Sequence, residues 1–260
     1  MSNWKRKNFT LIELLIVISV IGILAGMLMP ALAAAKERSM SSSCASNLKQ
    51  IASAALMYTD DNRGVMSPCS NGSTCCNGRT WTGDRAANQR RTDLRTKGLI
   101  TRYIGDDLET KICPSVNAQV KQQLALAPTD SGYCRGGGYG LNANFGWSGG
   151  VGKPVTVGRI VSPGSKIMFS DTMESWGNSA AYSLRLVPRG IVVGSTSDMG
   201  YSNTCFRHNG AANVGWADGH VSSEQPAELG VDPFEIANSI GYLSTDKKPY
   251  RLTVEQEQME

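Results

Sequence analysis

The chain has 260 residues, 41% of them hydrophobic and 18% charged, which gives room for an anchor and one sizeable domain. Its net charge is +4, and Lys5, Arg6 and Lys7 supply most of that excess. The remainder is close to neutral, which gives no electrostatic case for nucleic acid or an acidic polymer and leaves the leader charge as a topology signal.

Lys5-Arg6-Lys7 precedes an apolar stretch that reaches Ala35 and is interrupted by one charge, Glu13. Positive residues ahead of an apolar helix stay cytoplasmic, so the C-terminal bulk is expected outside. Leu14 to Ala35 would run ~33 Å as helix, enough to cross a bilayer core. Three readings compete here: a secretory signal peptide ending at Ala31-Leu32-Ala33, a plain signal anchor, or a processed leader followed by an assembly helix. Glu13 argues against the first. A carboxylate at membrane depth costs about 2.5–3.5 kcal/mol or more and calls for a partner that a discarded peptide would never meet. Gly22-x-x-x-Gly26 would permit close approach of a second helix.

Lys7-Asn8-Phe9-Thr10-Leu11-Ile12-Glu13-Leu14-Leu15-Ile16-Val17-Ile18 resembles the cleavage and methylation motif of type IV prepilins and pseudopilins. The resemblance implies cleavage between Asn8 and Phe9 by a prepilin peptidase, with N-methylation of Phe9. Asn8 stands where the family usually has Gly. Glu13 falls on the family's Glu, and Pro30 falls where many pilins carry a helix-bending proline. Cleavage would leave a buried ammonium on Phe9, and a Glu13 carboxylate of a neighbouring subunit could pair with it and set the register. The implied partners are other copies or paralogous pilins through the N-terminal helix, the peptidase, and inner-membrane secretion or pilus machinery. The implied location is a bacterial inner membrane, crossed once, with a periplasmic or extracellular head.

Leu48, Ile51, Ala52, Ala55 and Leu56 recur at helical spacing, and Asn62-Arg63-Gly64 supplies a stop. The expected organisation is a leader at 1–8, a transmembrane and assembly helix at 9–35, an amphipathic continuation at 36–62, and an exported β-rich head at 63–260. Cys69 to Gly83 reads as a disulfide-tethered insertion, and disulfides are expected among Cys69, Cys75, Cys76, Cys113, Cys134 and Cys205. The alternative for these residues is free thiols in small buried sites. Cysteine spacing lacks the paired units of a zinc ribbon. Arg85 to Arg102 reads as a solvated basic helix face rather than a polyanion site, and Gly136-Gly137-Gly138-Tyr139-Gly140 as a loop entering a strand rather than a nucleotide loop. Ser165–Ser170 and Gly190–Val193 read as strands, with Pro163-Gly164 as a turn. Glu255 to Glu260 reads as a flexible tail.

Near the C-terminus, Asn209-Gly210 and Asp218-Gly219 are turn signals that predict two-residue hairpins and a three-stranded meander over 201–223. The same stretch resembles the prepilin-processing-associated family named for a His, nine residues, then Asp-Gly. His208, Asp218 and Gly219 match that motif. Shorter fragments extend the resemblance over roughly residues 7–222: Ser46–Ile51, Tyr58–Asn62, Ile112–Ser115 and Tyr139–Asn142. The resemblance to major pseudopilins of type II secretion implies an α+β fold, a long helix packed on a mainly antiparallel sheet. In a plain meander His208 and Asp218 would sit about 23 Å apart, so no acid–base dyad is expected. No cofactor is expected, although Asp218 and His220 leave a calcium or other metal ligand set open.

Three functions follow for testing. The first is a structural pilin or pseudopilin subunit. The second is an anchored or secreted binding module that recognises a surface polymer or export substrate through its loops. The third, an enzyme, lacks a visible nucleophile–base set, and Ser195 and Ser197 lie in no nucleophile elbow.

Overall fold

A computed structural model describes residues 10–69, 78–85, 94, 97–105, 107–120, 136–145, 155–176, 179–181, 185–186, 201–229 and 233–244. Asn8, Phe9, Cys75, Cys76, Cys134, Arg90, Arg91, Arg95, the 190–193 strand, Ser195, Ser197 and the tail at 255–260 lie outside the described residues. The chain divides into two compact units, Met1–Ser39 and Met40–Glu260.

Helix α1 spans Leu11–Asp61. It starts on a capping box: the Thr10 N–H and hydroxyl both donate to Glu13 Oε2, at 2.8 and 2.7 Å, and the Glu13 N–H donates to Thr10 Oγ1 at 3.3 Å. Pro30 lies inside the helix and cannot donate to the carbonyl four residues earlier. The helix ends where Arg63 and Gly64 take positive φ, 57° and 79°, and the Gly64 N–H returns to the Thr59 carbonyl at 2.9 Å.

The first unit holds apolar helix with its side chains outward. Leu14, Ile18, Leu24 and Leu32 are all exposed, and nothing in the richest apolar window is buried. This helix is long and apolar enough to cross a membrane.

In the second unit, Cys44, Leu48, Ile51, Ala52, Ala55 and Thr59 recur every three or four residues and are buried. The expected stripe therefore forms and extends one turn further at each end, with Leu56 half-buried at its margin. It packs into one core with Trp81, Phe145, Met168 and Phe169.

Eleven strands are described: β1 Gly78–Arg79, β2 Asp84–Arg85, β3 Tyr139–Asn142, β4 Ile167–Trp176, β5 Ser179–Ala181, β6 Arg185–Leu186, β7 Tyr201–Cys205, β8 Ala212–Trp216, β9 Val221–Glu224, β10 Glu228–Leu229 and β11 Ile240–Tyr242. Among the described residues β3 to β11 form one mainly antiparallel sheet, the β3–β6 pair being parallel. Together with α1 this makes the fold α+β, as expected.

Strand β4 is the hub of the sheet. β3 runs along one edge of it, with Tyr139 opposite Asp171. On the other edge β8 pairs with Ile167 to Ser170, and β7 takes over from Thr172 to Ser175. Asp171 sits at that handover. A register shift between Ile167 and Phe169 breaks the alternation of β4. Ile167 accordingly joins a second cluster with Leu186, Val214 and Tyr242, while Phe169 packs in the main core.

Three local expectations are corrected. The meander forms only between β8 and β9. β7 and β8 both lie on β4, and one bridge, His208 to Ala211, links the chain around the Asn209-Gly210 turn. That turn is the expected two-residue one, with φ of 52° and 80°. Asp218-Gly219 instead closes a three-residue loop: the Gly219 N–H donates to Trp216 O, the Trp216 N–H donates to His220 O, and Gly219 alone takes positive φ.

The second correction concerns Cys69 to Gly83, whose described part is core rather than an outlying insertion. Thr80, Trp81 and Thr82 are buried, and the Trp81 ring lies 5.0 Å from that of Phe169. A tryptophan carries too much apolar area to be left in solvent when a core position is in reach. The third is the basic stretch. Of its described residues, Arg85 lies in β2, Leu94 is buried, and helix begins only at Thr101, in the short helix Thr101–Ile104, where exposed Arg102 pairs with Asp61 at 3.2 Å.

Candidate functional site

The residues expected to carry assembly lie on the exposed half of α1. Gly22 and Gly26 have open space where a Cβ would stand, so the helix surface there is flat and accessible to another helix. Glu13 caps its own helix through Thr10, a local role that the membrane-charge argument does not anticipate.

His208 and Asp218 are not brought together. Asp218 Oδ1 lies 2.6 Å from His220 Nδ1 and accepts the His220 N–H at 3.0 Å, in an exposed pair with the Trp216 ring stacked on the imidazole. Burial pushes the Asp218 carboxyl up, but the His220 N–H and ring outweigh it and hold the group below its ordinary value. This pair offers one carboxylate, short of the several oxygens that calcium takes.

His208 goes inward instead. Its Nε2 lies 3.3 Å from Asp171 Oδ2 and 3.6 Å from Cys113 Sγ, and Cys44 Sγ lies 3.4 Å from Asp171 Oδ1. The four donor atoms are all within 4.8 Å of one another, and all four residues are buried.

Four separate chain segments build this cluster. Cys44 opens the buried stripe of α1. Cys113 precedes the turn at Pro114–Val116 and is fixed by donating its N–H to Gly137 O at 2.8 Å. Gly137 is required there, because a Cβ would stand 1.8 Å from the Lys111 carbonyl oxygen. Asp171 projects from the β4 handover, where the Asn213 N–H donates to its Oδ2 at 2.9 Å. His208 enters from the first position of the Asn-Gly turn.

A further layer of contacts surrounds the four groups. His208 Nδ1 lies 3.3 Å from Ser115 Oγ, and the Tyr139 hydroxyl donates to Cys44 O at 3.3 Å. The Arg207 guanidinium donates to Thr172 O at 2.6 Å and Gly138 O at 3.4 Å beside the cluster.

The electrostatics follow from burial and proximity. Burial would push the His208 ring down, but the Asp171 carboxylate and the Cys113 thiol raise it to about 10. Burial likewise works against the Asp171 carboxylate, yet His208 and Arg207 keep it below its ordinary value. The Cys44 thiol, beside Cys113, and then His208 and Arg207 lower Cys113 to about 6 against its burial. Burial pushes Cys44 up. A carboxylate, two sulfurs and an imidazole converging out of solvent can hold a cation or form a redox pair. Such a closed cluster gives no room for a substrate.

The disulfide expectation fails at two positions. Cys113 and Cys205 are free buried thiols, as is Cys44. The Cys69 thiol donates to Leu141 O at 3.4 Å.

No family model, curated protein or solved structure matches this chain.

Proposed function

We propose that the protein is a structural subunit of a type IV pilin-like or pseudopilin filament, anchored by the first half of α1 and carrying an exported head. One observation carries the reading: a single helix has an outward apolar half, with one early carboxylate, and a second half that forms the core of the head. An outward apolar stretch of this length needs a lipid or helical environment to cover it. Glu13 at its start then has a use, because a neighbour's N-terminal ammonium would neutralise it in register. The leader Lys5-Arg6-Lys7 and the Phe-Thr-Leu-Ile-Glu motif support the same reading.

The test is the N-terminal residue and intact mass of the protein from its native membrane, combined with cross-linking of wild type and Glu13→Ala. An N-methylated Phe9 and cross-linked ladders that Glu13→Ala abolishes are expected. A chain beginning near Ala34 would make it a released soluble domain and favour the binding-module reading. Loss of the Thr10–Glu13 cap costs helix stability only about 1 kcal/mol, so unchanged insertion with lost ladders would separate assembly from folding.

A further inference from the structure

We propose that Cys44, Cys113, Asp171 and His208 form a closed, structural zinc site that ties α1 to the sheet of the head. Tetrahedral zinc takes sulfur at ~2.3 Å and nitrogen or oxygen at ~2.1 Å, which sets ligand-to-ligand edges of roughly 3.3–3.8 Å. Three of the six edges are 3.4, 3.6 and 3.3 Å, for Cys44 Sγ–Asp171 Oδ1, Cys113 Sγ–His208 Nε2 and His208 Nε2–Asp171 Oδ2. Four mixed donors already converge from four chain segments to within 4.8 Å of one another, and binding would draw the longer edges in and commit one Asp171 oxygen to the ion.

The donor set selects the ion. Two sulfurs, an imidazole and one carboxylate suit zinc and disfavour calcium or magnesium, which take oxygen. Four protein ligands and complete burial match a structural site, whereas a catalytic zinc keeps a position open.

Charge closes as well. A divalent zinc with two thiolates, one carboxylate and a neutral imidazole carries a single net negative charge, and the Arg207 guanidinium stands beside it. Arg207 is fixed there by donating to Thr172 O at 2.6 Å and to Gly138 O at 3.4 Å. On binding, the thiol and imidazolium protons leave to solvent.

The surroundings have the form that metal ligands need. His208 Nδ1, the nitrogen away from the cluster, meets Ser115 Oγ, which fixes the ring. Asp171 is held by the Asn213 N–H and Cys44 by the Tyr139 hydroxyl on its carbonyl. A Cys44–Cys113 disulfide is the competing chemistry. It would use two of the four converging groups and leave His208 and Asp171 as a buried pair on their own. On the zinc reading, His208 is a ligand and the nearby Asp218-Gly219 loop closes the hairpin that follows it.

The experiment is metal analysis of the full chain, purified from membranes in detergent without chelator or added zinc. About one zinc per chain is expected, falling at least about tenfold in Cys113→Ser and His208→Gln. Cys205→Ser, which alters a buried thiol outside the cluster, should retain the metal. Because a ligand variant could fail to fold, cobalt exchange into the wild type gives an independent reading. It should show visible tetrahedral d–d bands and a thiolate-to-cobalt charge-transfer band. Ser115→Ala should keep the stoichiometry and weaken zinc about tenfold in competition with a chelator. A wild-type chain free of zinc, a cobalt sample lacking the thiolate band, or a Cys44–Cys113 disulfide in the unreduced peptide map would overturn the proposal.

Discussion

At Gly137 the requirement is steric and local. Its backbone passes so close to Lys111 that a Cβ would stand 1.8 Å from a carbonyl oxygen, and backbone cannot swing aside as a side chain can. Gly137→Ala should therefore cost about 3 kcal/mol or more, read as a lowered urea midpoint, and should displace Cys113, whose N–H binds Gly137 O. An ordinary surface glycine replaced by alanine would cost nothing comparable. Asp107 gives a contrasting residue-scale effect. Its carboxylate accepts the Glu109 N–H at 3.1 Å and the Thr110 hydroxyl at 2.9 Å, and the Glu109 bond first, then Thr110, hold it below its ordinary value. A folded-state depression adds stability that is fully present above the unfolded value, ~3.9, and lost as pH falls through the folded one. The gap in urea midpoint between wild type and Asp107→Asn should thus be open at pH 6 and close toward pH 3. Exposure and salt keep that gap under about 1 kcal/mol. A gap independent of pH would mean the two bonds do not require the charge.

The second half of α1 was legible in advance, because a helix repeats every 3.6 residues and the apolar positions from Leu48 to Ala55 announce that period themselves. Leu48 is the central member, fully buried against the β8 and β4 face where Gly215 and Phe169 leave room for it. Leu48→Ala should cost 2–5 kcal/mol by chevron or urea analysis, with the spread set by how far the site collapses. Lys49 should tolerate alanine far better, since it is exposed and offers one bond to Gly219 O. The Asn209-Gly210 turn was legible for a similar reason, as both residues accept positive φ. What local pattern could not give is pairing at a distance. That β7 and β8 would share one edge of β4, rather than pair with each other, depends on where β4 hands over at Asp171. No residue in 201–223 encodes that handover. The buried cluster was hidden by the same limit: Cys44 and Asp171 are 127 residues apart, and Cys113 and His208 are 95 apart. Two signals pointed toward it. Cys44 lies four residues before Leu48 on the same stripe, and Asp171 follows the apolar run Ile167-Met168-Phe169, an expensive place for a charge without partners.

At the scale of the whole molecule, the boundary that matters for folding does not coincide with the end of the helix. The sequence places an amphipathic continuation at 36–62 that runs into the head at 63–260, and the second compact unit begins at Met40 and includes the buried stripe. Each fully buried Leu or Ile contributes about 1.5–3 kcal/mol, so Leu48 and Ile51 with the alanines around them supply several kcal/mol. A domain of this size has only about 5–15 kcal/mol of net stability to lose. Two truncations follow from that arithmetic. A chain of residues 40–260 keeps the stripe and Cys44, and it should be soluble without detergent and unfold cooperatively in urea. A chain of residues 63–260 removes the stripe together with one member of the cluster, and it should lack a cooperative transition and expose the apolar face of the sheet to a hydrophobic dye. Should 63–260 unfold as sharply as 40–260, the helix would be an accessory to the head rather than its core. The link between anchor and head that the filament reading depends on would then be a tether only.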